Sequence, residues 1–484
     1  MIRPLSPSLK IVFALSFTLL AACSTFTELR QDFADKVFGR EPSNPPAELQ
    51  DIKPSYNAKI DWSSNAGKTE KYDYTPATDS GAVYSANAAG ELSKVDSSNG
   101  RQLWRINVGE PISGGVGVGA GIVLVGSNKG NVFAYDVAGK LIWKAKVSSE
   151  VLSVPRYFDG IVVARTGDNH IFGLDATDGS RKWVYERINP ALTLRSSVGV
   201  VVDGGAVYAG FAGGKLVAIR ADNGKLLWEA TIAQPKGVTE IERIADITSL
   251  PVVDGPLVYA VAYQGKIAAV DRRSGKVVWN RDISSFSGLN AEDGKVFVSH
   301  TLGAVYSLDY ETGKTFWRQG GLSNRRLTAP LPMGNLIAVG DLEGYVHFLT
   351  REEGNFATRI KLDSNPVMSL IAGKSTSQLI AATRDGGLYT ISVAENNSKP
   401  ATVEKPSEKA TEKNIEKPAE KPAATEPAPA QSSEPGSQPS TERSILFQKN
   451  DSIMLPDSSN SDNNSNNNSA PGIKLPSPDR KSVV

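Results

Sequence analysis

The sequence predicts an all-β chain: an eight-bladed β-propeller of four-stranded blades, its N-terminal strand closing the last blade, with a disordered C-terminal tail behind it. Three observations predict this. A short pattern recurs about every forty residues, all seven tryptophans fall at one position of that pattern, and the stretches between alternate apolar and polar side chains. A repeat of about 40 residues with four short strands suits radial closure, in which neighbouring sheets cover one another and few strand edges stay open.

Taken in order, residues 1–22 read as an export signal. Arg3 and Lys10 form a positive start, and the apolar run from Ile11 to Leu20 is shorter than the roughly 20 residues of a membrane span. It ends in Leu20-Ala21-Ala22-Cys23. Residues 23–55, polar and bearing Pro42, Pro45, Pro46 and Pro54, read as a tether to the body at 56–394.

The body opens on Ile60-Asp61-Trp62, an outer strand lacking its preceding partner. Six copies follow of a strand, a turn glycine and a tryptophan, five of them with an aspartate before the glycine and five with a basic residue after it. Examples are Gly90, Leu92, Asp96, Gly100, Arg101, Trp104, and Gly265, Ile267, Asp271, Gly275, Lys276, Trp279. The others end in Trp143, Trp183, Trp228 and Trp317. Two copies are degenerate: Gly344 and Gly354 keep register with Thr358 at the tryptophan position, and Gly386, Leu388 and Tyr389 open a copy that ends early. The aspartate-to-glycine spacing suits a hairpin loop with a residue at positive φ. Further strand pairs lie between, such as Val198–Val202 with Val207–Gly210 around Asp203-Gly204-Gly205, and the small-residue run Gly114–Gly121 suits crowding at the axis.

Composition narrows the function. Fifty-three basic against fifty-two acidic residues leave +1, which argues against nucleic acid as a partner. Cys23 is the only cysteine, so intramolecular disulfides and thiolate metal clusters are excluded. The three histidines, His170, His300 and His347, are scattered in or beside strand patterns. No G-x-S-x-G, G-x-G-x-x-G or Walker loop occurs.

These copies resemble the pyrroloquinoline-quinone-type propeller repeat, A-x-D-x-x-x-G-K-x-x-W, over about residues 56–394. No tryptophan precedes an aspartate, unlike the WD40 class. The lipoprotein-type signal adds to this, as do two loop motifs, Leu192-Thr193-Leu194-Arg195 and Thr239-Glu240-Ile241-Glu242-Arg243-Ile244-Ala245-Asp246. Together they resemble the BamB family, the propeller lipoproteins of the outer-membrane β-barrel assembly (BAM) machinery. That resemblance implies diacylation of Cys23 with the signal cut before it. Ser24 in place of aspartate implies the outer membrane, and the resemblance implies its periplasmic face. It further implies a non-enzymatic scaffold that binds the POTRA domains of BamA, and through BamA the BAM complex, with unfolded outer-membrane proteins as possible clients. Leu192, Leu194, Arg195 and Asp246 are the implied partner contacts. Thr248 stands where the resemblance implies a second acidic residue, a departure from the family's contact pattern.

The alternative from the same blade is a quinoprotein dehydrogenase or a ligand-binding propeller. The former packs its quinone on a disulfide of adjacent cysteines and a carboxylate-held calcium. One cysteine cannot supply the former, and the acidic residues found are turn aspartates spread over separate blades. No cofactor, metal or catalytic residue is expected.

Spacing places the binding loops independently. Unit starts at 90, 130, 169, 214, 265, 303, 344 and 386 give steps of 40, 39, 45, 51, 38, 41 and 42. The surplus of the two longest lies in Arg187–Ser196 and Thr231–Leu250, and insertions in repeat folds map to one face, often the binding face. The competing reading makes Leu192 and Leu194 the start of a buried inner strand and the charged residues a solvated rim.

Residues 395–484 change character. Glu404-Lys405-Pro406, Glu416-Lys417-Pro418 and Glu420-Lys421-Pro422 give way to Ser/Asn runs, and Phe447 is the sole aromatic residue. Such a segment buries too little apolar area to offset ordering entropy. Ile445-Leu446-Phe447 and Ile453-Met454-Leu455 are candidate linear motifs that the resemblance does not cover.

Overall fold

Each repeat copy folds as the outer half of one blade. Around Trp228, Lys215–Arg220 pairs antiparallel with Leu226–Thr231, and Gly224 takes φ +71° in the turn between them. The preceding pair, Val201–Asp203 and Ala206–Phe211, completes the sheet. The computed structural model describes residues 45–188, 192–194 and 197–396. Among these, thirty-two strands form eight four-stranded sheets, with no helix. The signal, Cys23 and the tail beyond residue 396 lie outside the described residues.

Seven blades take their strands, lettered a to d, consecutively from the chain. The eighth pairs Val367–Ala372, Gln378–Thr383 and Gly387–Glu395 with the first strand, Tyr56–Asn65, Ile60 opposite Ile391 and Ser64 opposite Leu388. The ring is therefore closed as the unpartnered Ile60-Asp61-Trp62 predicts. The a strands of successive blades touch one another from blade 1 through blade 8, so they surround the axis, while d strands face outward. Every pairing is antiparallel, which puts the a–b and c–d turns on one face. The b–c turns and the blade-to-blade d–a connections share the other.

The core lies between the sheets rather than within one. Tyr208 and Trp228 of blade 4, for example, pack with Val258 and Ala260 of blade 5. All seven indole N–H groups donate to a carbonyl of the following blade at 2.8–3.1 Å, as in Trp279 to Tyr310 O and Trp62 to Ser97 O. A tryptophan thus buries its rings and still satisfies its one polar atom. The glycine of the next blade's c–d turn lies on the indole: at Gly313, φ +65°, an added Cβ would stand 2.5 Å from Trp279. Glycine is needed there for both backbone and space.

The degenerate seventh copy follows from closure. Blade 8 has no c–d turn, because its d strand arrives from the other end of the chain, so a tryptophan at 358 would find neither turn carbonyl nor turn glycine. Tyr56, Ala58 and Ile60 pack beside Ala357 instead, and Thr358 is buried. The repeated aspartates are turn builders. Oδ1 of Asp96, Asp136, Asp175, Asp271 and Asp309 each accepts a backbone N–H inside its own turn at 2.8–2.9 Å.

Two details depart from the sequence reading. Strand a of blade 4 starts at Val201, not Val198. Residues 198–200 stay buried in the connection, where a Cβ on Gly199 would stand 3.2 Å from the Ser153 side chain. The described end of the tether is also bound rather than hanging free. Ala47 N–H donates to Ser323 O at 2.9 Å, Arg325 donates to Ala47 O at 2.7 Å, and Ser55 N–H donates to Ala357 O at 2.9 Å. Arg325 is itself buried and paired with Asp341 at 2.7 Å, and His347 Nε2 lies 2.9 Å from the same carboxylate. The run Ile112–Gly119 behaves as expected: a Cβ on Gly114 would meet Val151 O at 2.6 Å, so small residues admit the neighbouring chain.

Candidate interaction face and its cavity

The two longest unit steps become the two longest d–a connections. Fifteen residues, 186–200, join blade 3 to blade 4, and twenty, 232–251, join blade 4 to blade 5. Both stand on the same face, side by side. Their composition differs from an ordinary solvated rim: Ile188 is 95% exposed, Val238 90% and Leu192 44%, with Ile241 also outside. Leu192 is thus not the start of a buried strand. Apolar side chains held in water at neighbouring loops are the usual mark of a surface that another molecule covers.

The longer connection is ordered by its own hydrogen bonds. Glu242 Oε2 accepts the N–H groups of Val238 and Thr239 at 2.8 and 3.1 Å, and Thr239 Oγ1 accepts the Glu242 N–H at 3.2 Å. This is the reciprocal Thr/Glu arrangement of a capping box, here closing a turn rather than starting a helix. The N–H groups of Thr239 and Val238 pull the Glu242 carboxyl below the usual range. Arg243 pairs with Glu240 at 3.3 Å and reaches Gly237 O at 3.2 Å.

Asp246 joins the two connections. Its carboxylate accepts Leu194 N–H at 2.7 Å and Gly213 N–H at 3.0 Å, and its own carbonyl accepts Tyr263 N–H at 2.8 Å. The side chain is only 5% exposed. The sequence reading treats Asp246 as a contact residue, whereas the fold sets it beneath the surface as the tie that positions Leu194. Of the four expected contact residues, Leu192 is exposed, Leu194 is half-buried beside it, and Arg195 lies outside the described residues.

Against the b–c ends of blades 3 and 4, these loops roof a polar cavity of about 250 Å³. Ser153, Arg165, Asn169, Leu194, Asp246 and Thr248 are among the residues that line it, all contributed by d–a connections or by the b–c end of a blade. Thr248 opens onto this cavity. No sequence motif marks Arg165. Among the described residues no three His, Cys, Asp or Glu side chains gather as a metal cluster. His170 sits 3.0 Å from Asp168 at a turn, far along the chain from His300 and His347.

The closed ring, the tryptophan–glycine stacking and the aspartate turns define an eight-bladed propeller of the pyrroloquinoline-quinone-type repeat class. Residues 88–319 match the family model described as "Outer membrane protein assembly factor BamB". The proteins of that name from Nitrosomonas eutropha and Burkholderia pseudomallei are 38% and 35% identical to this chain. The alignments cover 80% and 78% of it and 96% of each relative. The crystal structure of BamB from Moraxella catarrhalis superposes with a TM-score of 0.64 at 26% identity, over 69% of this chain and all of that one. The chain belongs to the BamB family of outer membrane protein assembly factors. A quinohemoprotein alcohol dehydrogenase from Comamonas testosteroni shares the fold alone, at 14% identity and a TM-score of 0.57 over 69% of this chain and 76% of that one.

Proposed function

We propose that this protein is a non-enzymatic scaffold lipoprotein of the outer-membrane β-barrel assembly complex, supporting the folding and insertion of outer-membrane proteins. Its partner is the POTRA region of BamA, bound on the face of the two long connections. The observation that carries this reading is the side-by-side exposure of Leu192, Ile188, Val238 and Ile241 on loops tied together through Asp246. An apolar centre flanked by charge is the composition of an interface hot spot. Residues 1–22 are the signal, 23–55 the tether lipidated at Cys23, and 395–484 a tail outside the propeller, with the body at the periplasmic face of the outer membrane.

Affinity isolation from solubilised membranes tests the partner. Co-isolation of the barrel-assembly core is expected, and recovery of a quinone-loaded protein without that core would favour the dehydrogenase reading instead. Cys23→Ser tests the anchor: signal cleavage at that residue and membrane attachment should both be lost, and unchanged processing would refute lipidation.

A further inference from the structure

At the end of strand b, or one residue before it, each blade has a residue paired with the first apolar residue of strand c. In seven blades that residue is small or apolar, for example Ala86 opposite Leu92, Gly210 opposite Leu216 and Val261 opposite Ile267. In blade 3 it is Arg165, opposite Ile171. The guanidinium is 6% exposed and lines the cavity under Leu194 and Asp246.

Among the described residues its direct hydrogen-bond partners carry no negative charge. One Nη donates to Gly210 O at 2.7 Å, the other to Asn169 Oδ1 at 2.6 Å, and the plane lies 4.6 Å from the Phe211 ring centroid. These partners are neutral, and among the described residues they take two of the five donor hydrogens. Among the described residues no carboxylate pairs with it. Asp246, which lines the same cavity, accepts the N–H groups of Leu194 and Gly213 and no bond from Arg165. Glu150 also borders the cavity and has interactions of its own. Buried charges are ordinarily paired, and here burial pushes the guanidinium down to about 10.

We infer that the Arg165 cavity is an acid-accepting socket: on docking, an aspartate or glutamate side chain of the partner enters between blades 3 and 4 and pairs with the guanidinium. The stacking on Phe211 and the bonds to Gly210 and Asn169 hold the fork in one orientation, so little side-chain entropy remains to be lost on binding. The apolar residues on the rim exclude water from the pair. The inference rests on the proposed partner face, which it deepens by assigning a charged contact inside it.

The test is a double-mutant cycle between full-length protein in detergent and the periplasmic domains of the partner. Arg165→Gln should weaken binding roughly thirtyfold, about 2 kcal/mol. One aspartate or glutamate of the partner, changed to its amide, should give the same loss and add nothing further in the Arg165→Gln background. If Arg165→Gln unfolds the propeller, the partner-side amide substitutions still decide, because they leave this chain untouched. Wild-type affinity for every partner-side variant would overturn the socket. Loss of binding in Leu192→Asp with full binding in Arg165→Gln would overturn the socket while leaving the face intact. Full binding in Leu192→Asp as well would mean that the face itself is wrongly placed.

Discussion

The carboxylate of Asp246 accepts the backbone N–H of Leu194 at 2.7 Å, across 52 residues of sequence. One buried acid thereby sets the height of an exposed loop on the neighbouring connection, and the same acid holds Gly213 at the b–c turn of blade 4. The geometry of the face depends on this tie as well as on the side chains that show.

Removing the tie should therefore uncouple the loops. Asp246→Ala leaves two N–H groups without their acceptor, at a cost of about 1–3 kcal/mol each if they stay buried. Amide hydrogen exchange at Leu194 should speed up, and partner affinity should fall about tenfold or more. An unchanged exchange rate at Leu194 would show that the loop is held by something else.

Leu192 offers the complementary experiment. At 44% exposure its truncation touches little of the core, so Leu192→Ala should shift stability by less than about 0.5 kcal/mol. Partner affinity should nevertheless drop about thirtyfold, the signature of an anchor. Arg195→Glu should likewise abolish co-isolation with the melting temperature unchanged. Thermal denaturation alongside a binding assay checks both; a fall in melting temperature of several degrees for Leu192→Ala would place that side chain in the core.

The tryptophan ring makes a prediction about blade identity. Trp279→Ala should cost about 3–5 kcal/mol, because it empties a site between two sheets and removes one of the two hydrogen bonds to Tyr310 O, leaving only that from the Tyr259 hydroxyl. Restoring the consensus at the degenerate seventh copy should not help. Thr358→Trp would overpack a position already covered by the N-terminal strand and cost about 1–3 kcal/mol. Urea denaturation of the two variants gives the comparison, and a stabilised Thr358→Trp would undo the closure argument.

Stability should also fall on mild acidification. Burial lowers the His347 imidazole below its ordinary value of about 6.5, with the Arg325 charge adding to this and Asp341 only partly offsetting it. Among the described residues the Nδ1 atom has no partner, so a proton there would be a buried donor with no acceptor. The unfolded chain takes up that proton near pH 6.5 while the folded chain still refuses it. This contribution is therefore full above pH 6.5 and is lost as pH falls through the lower folded value. His300 is lowered in the same direction by burial and by Arg318, so the comparison must be made against a variant. His347→Gln, which keeps an N–H toward Asp341, should flatten the decline in denaturant midpoint between pH 7 and 5. An equally steep decline would assign the effect elsewhere.

Much of this architecture is legible in the sequence. Repeats in a propeller are local: each hairpin's aspartate, glycine and tryptophan lie within a dozen residues, so their spacing exposes the blade count, the closing role of Ile60-Asp61-Trp62 and the two swollen connections. A lone arginine at the end of a strand carries no such periodic signal. Arg165 stands out only when the eight blades are laid in register and its position is found to be small or apolar in the other seven. The burial of Asp246 was equally out of reach, because its partners at Leu194 and Gly213 lie 52 and 33 residues away and meet it only when blades 3, 4 and 5 are stacked around the axis. Pattern along a chain reports interactions that recur at fixed spacing; a contact made once, between loops brought together by ring closure, leaves no period to find.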